Sequence, residues 1–144
     1  MTYSNILISV DGSEFSENAA KKGIELAKQL STSVTLLCVI DISVMVNNSG
    51  GDAISSELIR TYNEQAHEIV NSIVEKYPYS NITKIIEEGV PNETILKVAH
   101  SSKADIIVMG THGRRGLNHL IMGSVAEYVI RRSGIPVMIV PTHQ

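Results

Sequence analysis

The residues of this chain best suited to chemistry are glycines placed around one predicted helix start. Gly110 directly follows an apolar run over residues 104–109, and Gly113 comes three residues later. Nine residues then separate Gly113 from the tripeptide Gly-Ser-Val at 123–125. Glycine allows a positive φ and lets a ligand approach the backbone closely. A helix start presents N–H groups without helical partners and partial positive charge, which suit a phosphate. The pattern predicts a loop that holds the phosphates of a nucleotide, although such a loop could also only turn the chain.

A second turn with unusual residues follows the first predicted strand, residues 5–10. Asp11, Gly12 and Ser13 form a turn signal there, and Ser13 is suited to cap the helix that follows. Asp11 could accept hydrogen bonds from a ribose, as acidic residues do in dinucleotide sites, or it could only form an Asx turn. Ligands of open parallel sheets bind beyond the carboxyl ends of the strands, where the strand order reverses. We therefore expect both turns to border one crevice.

Other kinds of site are not favoured by the sequence. His112 and His119 could contact phosphate, but no carboxylate or cysteine stands at ligand spacing around them, so we expect no metal held by protein side chains. A P-loop needs a lysine, and none occurs from residue 104 to 144. The dinucleotide fingerprint is also absent after the first strand. A magnesium or manganese ion is expected only where the phosphates of the nucleotide hold it.

Composition sets bounds on the possible partners. The 144 residues fit one compact domain, residues 1–144, with a net charge of −3, which argues against nonspecific nucleic-acid binding. Four of the five arginines lie between residues 114 and 132, a distribution that favours a small anionic ligand over a polyanion. For Arg131 and Arg132, a favourable position at a helix C-terminus is the preferred interpretation. No apolar run approaches the roughly 20 residues that span a bilayer, so no membrane partner is expected. The single cysteine, Cys38, lies in an apolar run and favours core packing and a reducing, cytoplasmic setting.

Apolar runs alternate with helical patterns along the whole chain, which predicts a parallel sheet covered by helices on both faces. The predicted strands are residues 5–10, 33–40, 82–89, 104–109 and 137–140. The two turns described above place the reversal between the first and fourth strands, which predicts an open, Rossmann-like sheet of order 3-2-1-4-5. The fourth strand is the most apolar and is expected to be central, whereas the third alternates in the manner of an edge strand.

The least regular segment lies between Asp41 and Asp52. It shows neither a helical nor a strand period, and its glycine-rich end predicts a flexible loop. Residues 44–46 could form a mobile flap over a ligand or only pack locally. Elsewhere, Asn92 is expected to cap the short helix after the third strand, and Leu30 is expected on the inward face of the first helix.

Together these features resemble the universal stress protein family in its ATP-binding branch. Gly110-x-x-Gly113, nine residues, and then Gly123-Ser124 match the nucleotide signature of that family. The resemblance runs from end to end, since it extends to residues 6–13, 38–41, 89–91 and 136–140.

The resemblance implies ATP as the ligand and gives a role to each matching residue. Asp11 would hold the ribose, and Val39 would meet adenine largely through backbone atoms. Met109 and Gly110 would line the base and the sugar, residues 112–114 would border the phosphates, and residues 123–125 would cradle them. The implied site residues are Ser9, Val10, Asp11, Val39, Met109, Gly110, His112, Gly113, Arg114, Gly123, Ser124 and Val125. The resemblance also implies a homodimer formed by antiparallel pairing of the last strand, Val137–Val140.

Three functions are compatible with the sequence. The first is a nucleotide-dependent stress or signalling module, in which ATP occupancy alters shape or partner choice. The second is a slow ATPase or phosphotransferase, for which Arg114 and Arg115 could supply charge but for which no convincing base is found. The third is a dimeric module that acts without a nucleotide. The intact glycine signature favours the first over the third.

Overall fold

The structure is a computed structural model that describes residues 2–50, 53–112 and 122–141. Five strands form one parallel sheet in the order β3-β2-β1-β4-β5. The strands are β1 (Asn5–Val10), β2 (Ser33–Asp41), β3 (Ile82–Gly89), β4 (Ile106–Gly110) and β5 (Val137–Val140). The helices are α1 (Glu14–Leu30), α2 (Ile42–Asn48), α3 (Ser56–Lys76), α4 (Pro91–Ser101) and α5 (Ser124–Arg132). The predicted open, doubly covered sheet and its order are confirmed.

Alternating side chains of each strand feed two separate cores, one on each face of the sheet. On one face, Ile8 and Leu36 pack beneath α1 and α3, whose small residues Ala20 and Ala66 allow close approach. On the other face, Leu7 and Ile107 pack beneath α4 and α5. The molecule is therefore a three-layer α/β/α sandwich in which both faces of β1, β2 and β4 are buried.

β4 is an inner strand, as the predicted strand order requires, but it is not the middle strand of the sheet. β1 occupies the middle of the sheet, and β4 lies between β1 and the edge strand β5. β4 also begins at Ile106, two residues after the start of the apolar run. Apolar content alone did not distinguish these strands, because every inner strand of a doubly covered sheet is buried on both faces. The prediction of β3 as an edge strand is confirmed.

Ile42–Asn48 form the helix α2, although the sequence shows no regular period there. Of the flexible loop predicted at the glycine-rich end, Asn47 and Asn48 lie in α2, Ser49 and Gly50 form a turn, and residues 51–52 lie outside the described residues. Asp41 caps α2 by accepting a hydrogen bond from the Ser43 backbone N–H at 3.0 Å. Met45, in the middle of α2, is only 2% exposed and belongs to the core beneath α1 and α3. Of the two roles left open for residues 44–46, burial of Met45 favours local packing, because it attaches α2 to the body of the molecule.

Two local expectations are corrected in a similar way. α4 starts at Pro91 with Val90 as its cap residue, whereas the Asn92 side chain accepts a bond from the next backbone N–H, that of Glu93, at 2.7 Å. Proline suits the first helical position because its fixed φ is helical and its missing N–H would have no partner. Leu30, the last residue of α1, is 43% exposed and lies outside the core. The predicted cap of α1 at Ser13 is confirmed.

The amino end of the sheet is closed by side-chain hydrogen bonds. The Asp105 Oδ2 atom accepts from the Ser4 backbone N–H at 2.7 Å, from the Asn5 backbone N–H at 2.9 Å and from the Ser4 hydroxyl at 3.0 Å. These donors, the Ser4 N–H first among them, hold the pKa of Asp105 below its ordinary value. The Asn5 side-chain oxygen also accepts a hydrogen bond from the Thr35 hydroxyl at 3.2 Å. Hydrogen bonds at this end therefore connect β1 to both of its neighbouring strands.

None of the helices within the described ranges combines the length and the apolar character that a membrane crossing requires.

Candidate functional site

A cavity of about 530 Å³ lies where the carboxyl ends of β1, β2 and β4 meet. The chain passes from β1 outward to β2 and β3 and then returns to β4 on the other side of β1. The strand order therefore reverses between β1 and β4, and the cavity lies at this reversal, as expected for an open parallel sheet. Its volume falls within the range of about 300–1,000 Å³ typical of small-molecule and cofactor sites.

Ten of the twelve residues predicted for the site line this one cavity. They are Ser9, Val10, Asp11, Val39, Met109, Gly110, His112, Gly123, Ser124 and Val125. The other two, Gly113 and Arg114, lie outside the described residues. The structure thus brings together residues from three strand ends and from the start of α5.

The turn after β1 is held by its own side chains. The Asp11 Oδ1 atom accepts the Ser13 backbone N–H at 3.0 Å and the Ser13 hydroxyl at 2.6 Å, and Gly12 between them has a φ of +90°. This is the Asx turn that the sequence left as one of two roles for Asp11. It does not exclude the other role, because an ionised carboxylate has about four acceptor directions on its two oxygens.

The carboxyl end of β2 supplies an apolar part of the wall. Val39 is partly exposed although the five residues from Val34 to Cys38 before it are buried. This side chain is on the face covered by α4 and α5, where it packs at the edge of the core. The opening above Val39 is therefore part of the cavity, and Asp41 and Ser43 at the start of α2 continue the rim.

At the end of β4, Gly110 is required by helix packing. A Cβ atom placed there would lie 2.7 Å from the Phe15 carbonyl oxygen of α1, a contact that real Cβ atoms essentially never make. Gly110 lines the cavity as predicted, but the structure gives its lack of a side chain a structural reason. The sequence could not reveal this reason, because the residue that crosses over Gly110 is 95 positions away in the chain.

His112 follows β4 and is buried, with 6% of its surface exposed. Its Nδ1 atom lies 3.1 Å from the Thr111 hydroxyl, and its ring lies 5.1 Å from the ring of Phe15 at a tilt of 55°. A tilted pair at this separation is favourable because the positive edge of one ring faces the negative face of the other. His112 is therefore held in place by α1 while it borders the cavity.

The start of α5 lies directly opposite the end of β4. Gly123 is the cap residue, and its N–H donates to the Thr111 carbonyl oxygen at 2.7 Å. Ser124 is the first helical residue rather than the cap, so its hydroxyl does not cap the helix. The first amides of any helix have no acceptor within the helix and carry partial positive charge. At α5 these amides border the cavity, which gives it a region suited to an anion.

The family model for the Universal stress protein family matches residues 2–141 of the chain. The chain belongs to the universal stress protein family. Universal stress protein MJ0531 of Methanocaldococcus jannaschii is 38% identical over 140 residues, which cover 96% of this chain and 82% of that protein. The structure of hypothetical protein MJ0577 is 30% identical, with a TM-score of 0.75 and coverage of 100% of this chain and 99% of that chain.

Two solved structures of universal stress proteins contain adenine nucleotides. One protein is in complex with cAMP; it is 22% identical, has a TM-score of 0.69 and covers 99% of this chain and 100% of its own. The other, from Archaeoglobus fulgidus, is in complex with dAMP; it is 19% identical, has a TM-score of 0.65 and covers 96% and 98%. At these identities the two structures establish the shared fold, and the nucleotides belong to those proteins.

Several wall residues of this universal stress protein were not predicted as site residues. α3 contributes Tyr62, Gln65, Ala66 and Ile69, and α1 contributes Ser16. The apolar stripe that contains Tyr62, Ala66 and Ile69 could be recognised in the sequence as an inward helix face. What that stripe faces depends on where α3 crosses the sheet, which local sequence does not determine. Tyr62 also accepts a hydrogen bond from the Asn48 side chain, which joins α3 to α2.

A second, smaller cavity of about 310 Å³ lies between the start of α1 and the middle of α3. Glu17 borders this cavity, and its carboxylate accepts hydrogen bonds from the Lys76 ammonium at 3.0 Å and from the Tyr77 hydroxyl at 3.1 Å. The Lys76 hydrogen bond lowers the pKa of Glu17, and the same contact raises the pKa of Lys76. Desolvation and the bond to Glu17 raise the pKa of Tyr77. These contacts join α1 to the end of α3, which gives Glu17 a structural role.

No group of three or more histidine, cysteine, aspartate or glutamate side chains in the described parts of the chain is arranged to hold a metal ion.

Proposed function

We propose that this chain is an ATP-binding universal stress protein that acts as a nucleotide-dependent stress-response or signalling module rather than as a fast catalyst. Residues 1–144 would form a single nucleotide-binding domain, and the cavity at the carboxyl ends of β1, β2 and β4 would hold the nucleotide. One observation carries the proposal: ten residues predicted from separate parts of the chain line one cavity of about 530 Å³. The adenine nucleotides in the cAMP and dAMP complexes of related proteins support the ligand class.

The placement of the nucleotide follows from the chemistry of the wall. The apolar region at Val39 and Met109 suits the adenine base, and the carboxylate of Asp11 suits the donors of a ribose. The start of α5, at Gly123 and Ser124, suits the phosphates because its first amides are donors with partial positive charge. His112, together with Gly113 and Arg114, would border the phosphates, in keeping with the family resemblance.

The proposed phosphate region contains a nearby negative charge that must be tolerated. Glu127 lies in the first turn of α5, where its carboxylate would repel a phosphate. Arg131 donates to the Glu127 Oε1 atom from Nε at 3.1 Å and lies 3.0 Å from it at its terminal nitrogen. This pairing directs the carboxylate toward an arginine one turn along the helix and reduces its repulsion of an anion at the helix start.

Rapid hydrolysis is not expected from the described part of the wall. The cavity carboxylates there are Asp11 and Asp41, and each accepts hydrogen bonds from a serine two residues further along the chain. These contacts hold each carboxylate within its own turn, so neither is oriented to activate water at the γ-phosphate. A magnesium or manganese ion, if bound, would be held mainly by the phosphates.

We also propose a homodimer formed by antiparallel pairing of β5, the strand Val137–Val140 at the edge of the sheet. Its first three residues, Val137, Met138 and Ile139, are partly exposed. An exposed apolar edge strand favours pairing with another chain, and pairing with a second copy buries it. Sedimentation equilibrium measures the mass in solution, and a monomer at all concentrations would contradict the dimer. The reducing, cytoplasmic setting inferred from Cys38 stays a prediction.

The ligand itself is tested by two measurements on the purified chain. Mass spectrometry of small molecules released on denaturation is expected to detect an adenine nucleotide. Calorimetric titration with ATP, AMP, cAMP and GTP is expected to rank ATP first and GTP last. The proposal fails if no nucleotide is released and no binding occurs at millimolar ATP. Rapid single-turnover hydrolysis that is abolished by one side-chain change would instead show an enzyme.

A further inference from the structure

The residue that stands out beyond the predicted site is Ser16, in the first turn of α1. Ser16 is 5% exposed, although serine is mostly a surface residue. Its hydroxyl oxygen accepts the Asp11 backbone N–H at 3.0 Å, and its hydroxyl donates to the Ser13 carbonyl oxygen at 3.1 Å. Because this buried hydroxyl both accepts from Asp11 and donates to Ser13, Ser16 fixes the backbone of the β1–α1 turn.

The side chain of Asp11 is tied to the same serine by a second route. The Asp11 Oδ1 atom accepts both the backbone N–H and the hydroxyl of Ser13, at 3.0 and 2.6 Å. The Ser13 hydroxyl oxygen in turn accepts the Ser16 backbone N–H at 3.2 Å. Asp11, Ser13 and Ser16 therefore form a closed ring of hydrogen bonds that controls both the backbone and the carboxylate of Asp11.

We infer that Ser16 is a positioning residue that orients the Asp11 carboxylate toward the hydroxyl groups of a ribose, and that the cavity thereby selects ribonucleotides over 2′-deoxyribonucleotides. The inference rests on the proposed nucleotide-binding function and deepens it. In this arrangement the two roles that the sequence left open for Asp11 are compatible. The Asx turn sets the direction of the carboxylate, and the direction makes it an acceptor for a ligand.

The class of ligand group follows from the chemistry of a carboxylate. An ionised carboxylate only accepts hydrogen bonds, and it repels phosphate, so its partner on a nucleotide must be a neutral donor. The adjacent 2′- and 3′-hydroxyls of a ribose offer two such donors side by side. The amino group of adenine also donates, but replacement of ATP by 2′-deoxyATP removes only a ribose hydroxyl, which separates these alternatives.

The test compares the dissociation constants of ATP and 2′-deoxyATP for the full chain and for Ser16→Ala. We expect the natural chain to prefer ATP by about tenfold, the usual cost of leaving one charged acceptor without its donor. Ser16→Ala removes the acceptor of the Asp11 N–H and loosens the turn, so we expect the preference to fall to about threefold or less. A purely structural role would weaken the binding of both nucleotides by the same factor.

The matched control is Thr35→Val, which also removes a buried hydroxyl. Thr35 is 5% exposed, and its hydroxyl donates to the Asn5 side chain at the amino end of the sheet. This variant is expected to keep the full preference for ATP. Should Ser16→Ala not fold, Ser13→Ala tests the same ring, because it removes the hydroxyl contact to the Asp11 carboxylate.

The possible outcomes of this experiment distinguish the inference from the proposed nucleotide-binding function on which it rests. A reduced ATP preference in Ser16→Ala, with Thr35→Val unchanged, supports the inference. Equal affinity of the natural chain for ATP and 2′-deoxyATP overturns the inference while leaving nucleotide binding intact, and so does an unchanged preference in Ser16→Ala. Failure of the natural chain to bind either nucleotide overturns the proposed function and the inference with it.

Discussion

The two ends of the sheet are built from the same strands but are organised differently. At the amino end, Asp105 accepts three hydrogen bonds on one oxygen from Ser4 and Asn5, and side chains link the strands directly. At the carboxyl end, Asp11 and Asp41 bond to serines of their own turns, and the strands stop beneath a cavity of about 530 Å³. The amino end thus joins strands together, whereas the carboxyl end stabilises separate turns around an open space.

This difference shows that burial and hydrogen bonding alone do not identify a binding site. Carboxylates occur at both ends, and each has protein donors. What differs is whether those donors come from another strand or from the next residues of the same turn. A turn that satisfies its own carboxylate needs no neighbouring strand, so the strand ends can separate and leave room for a ligand. We therefore expect mutations at the two ends to have separable effects on stability and on nucleotide affinity.

The largest expected effect is that of Gly110→Ala, which disturbs both properties at once. The new Cβ atom would lie 2.7 Å from the carbonyl oxygen of Phe15, so α1 must shift away from β4. We expect a loss of about 2 kcal/mol in the free energy of unfolding, as for other overpacked sites. Because α1 carries the turn that holds Asp11, ATP affinity should fall as well. Urea denaturation and calorimetric titration measure the two effects.

Gly134→Ala is the matched control for this change. A Cβ atom at Gly134 would have no atom within 4 Å, so we expect a stability change within about 0.5 kcal/mol and unchanged affinity. Equal stability of the two variants would contradict the packing role assigned to Gly110.

Gly110 also illustrates how far the sequence could predict the molecule. The sheet order and the carboxyl-end location of the site follow from general rules for parallel sheets, and ten predicted residues do line one cavity. The packing reason for Gly110, the wall formed by α3 and the burial of Met45 in α2 depend on contacts between distant segments. α2 was not predicted because it has one buried side chain, that of Met45, and therefore no periodic apolar pattern. The polar and glycine-rich residues that follow Met45 favoured a loop instead.

The next largest effect is expected from Ser124→Asp, which should change affinity without changing stability. Ser124 is the first residue of α5 and lines the cavity, and an added negative charge there would repel the phosphates. We expect ATP affinity to fall at least about tenfold at low salt, and less in high salt because of screening. Stability should be kept, since an acidic residue is favourable in the first turn of a helix.

Ser56→Asp provides the control for this charge. Ser56 is the first residue of α3, is exposed and lies outside the described wall of the cavity. The substitution, the position in the helix and the change in net charge are all the same as at Ser124. Equal ATP affinity of the two variants would show that the phosphates do not bind at the start of α5.

The smallest effect is expected from Asp105→Asn at the amino end. In contrast to Ser124→Asp, this change should lower stability and leave ATP affinity unchanged. The amide still accepts hydrogen bonds but loses the charge that strengthens them, so we expect a loss of about 1 kcal/mol in stability at pH 7 and unchanged ATP affinity. The pKa of Asp105 is lowered in the folded protein, so its contribution is complete above the unfolded pKa. It is lost as the pH falls through the folded pKa. The difference in the free energy of unfolding between the natural chain and Asp105→Asn should therefore shrink below about pH 4, near the ordinary pKa of aspartate. Urea denaturation at several pH values checks this, with Glu17→Gln as a second series because its carboxylate also has a lowered pKa.

Asp105→Asn with a constant stability loss at every pH would show that its role is steric rather than electrostatic. If that variant also lost ATP affinity, the two ends of the sheet would be coupled and their proposed separation would be wrong.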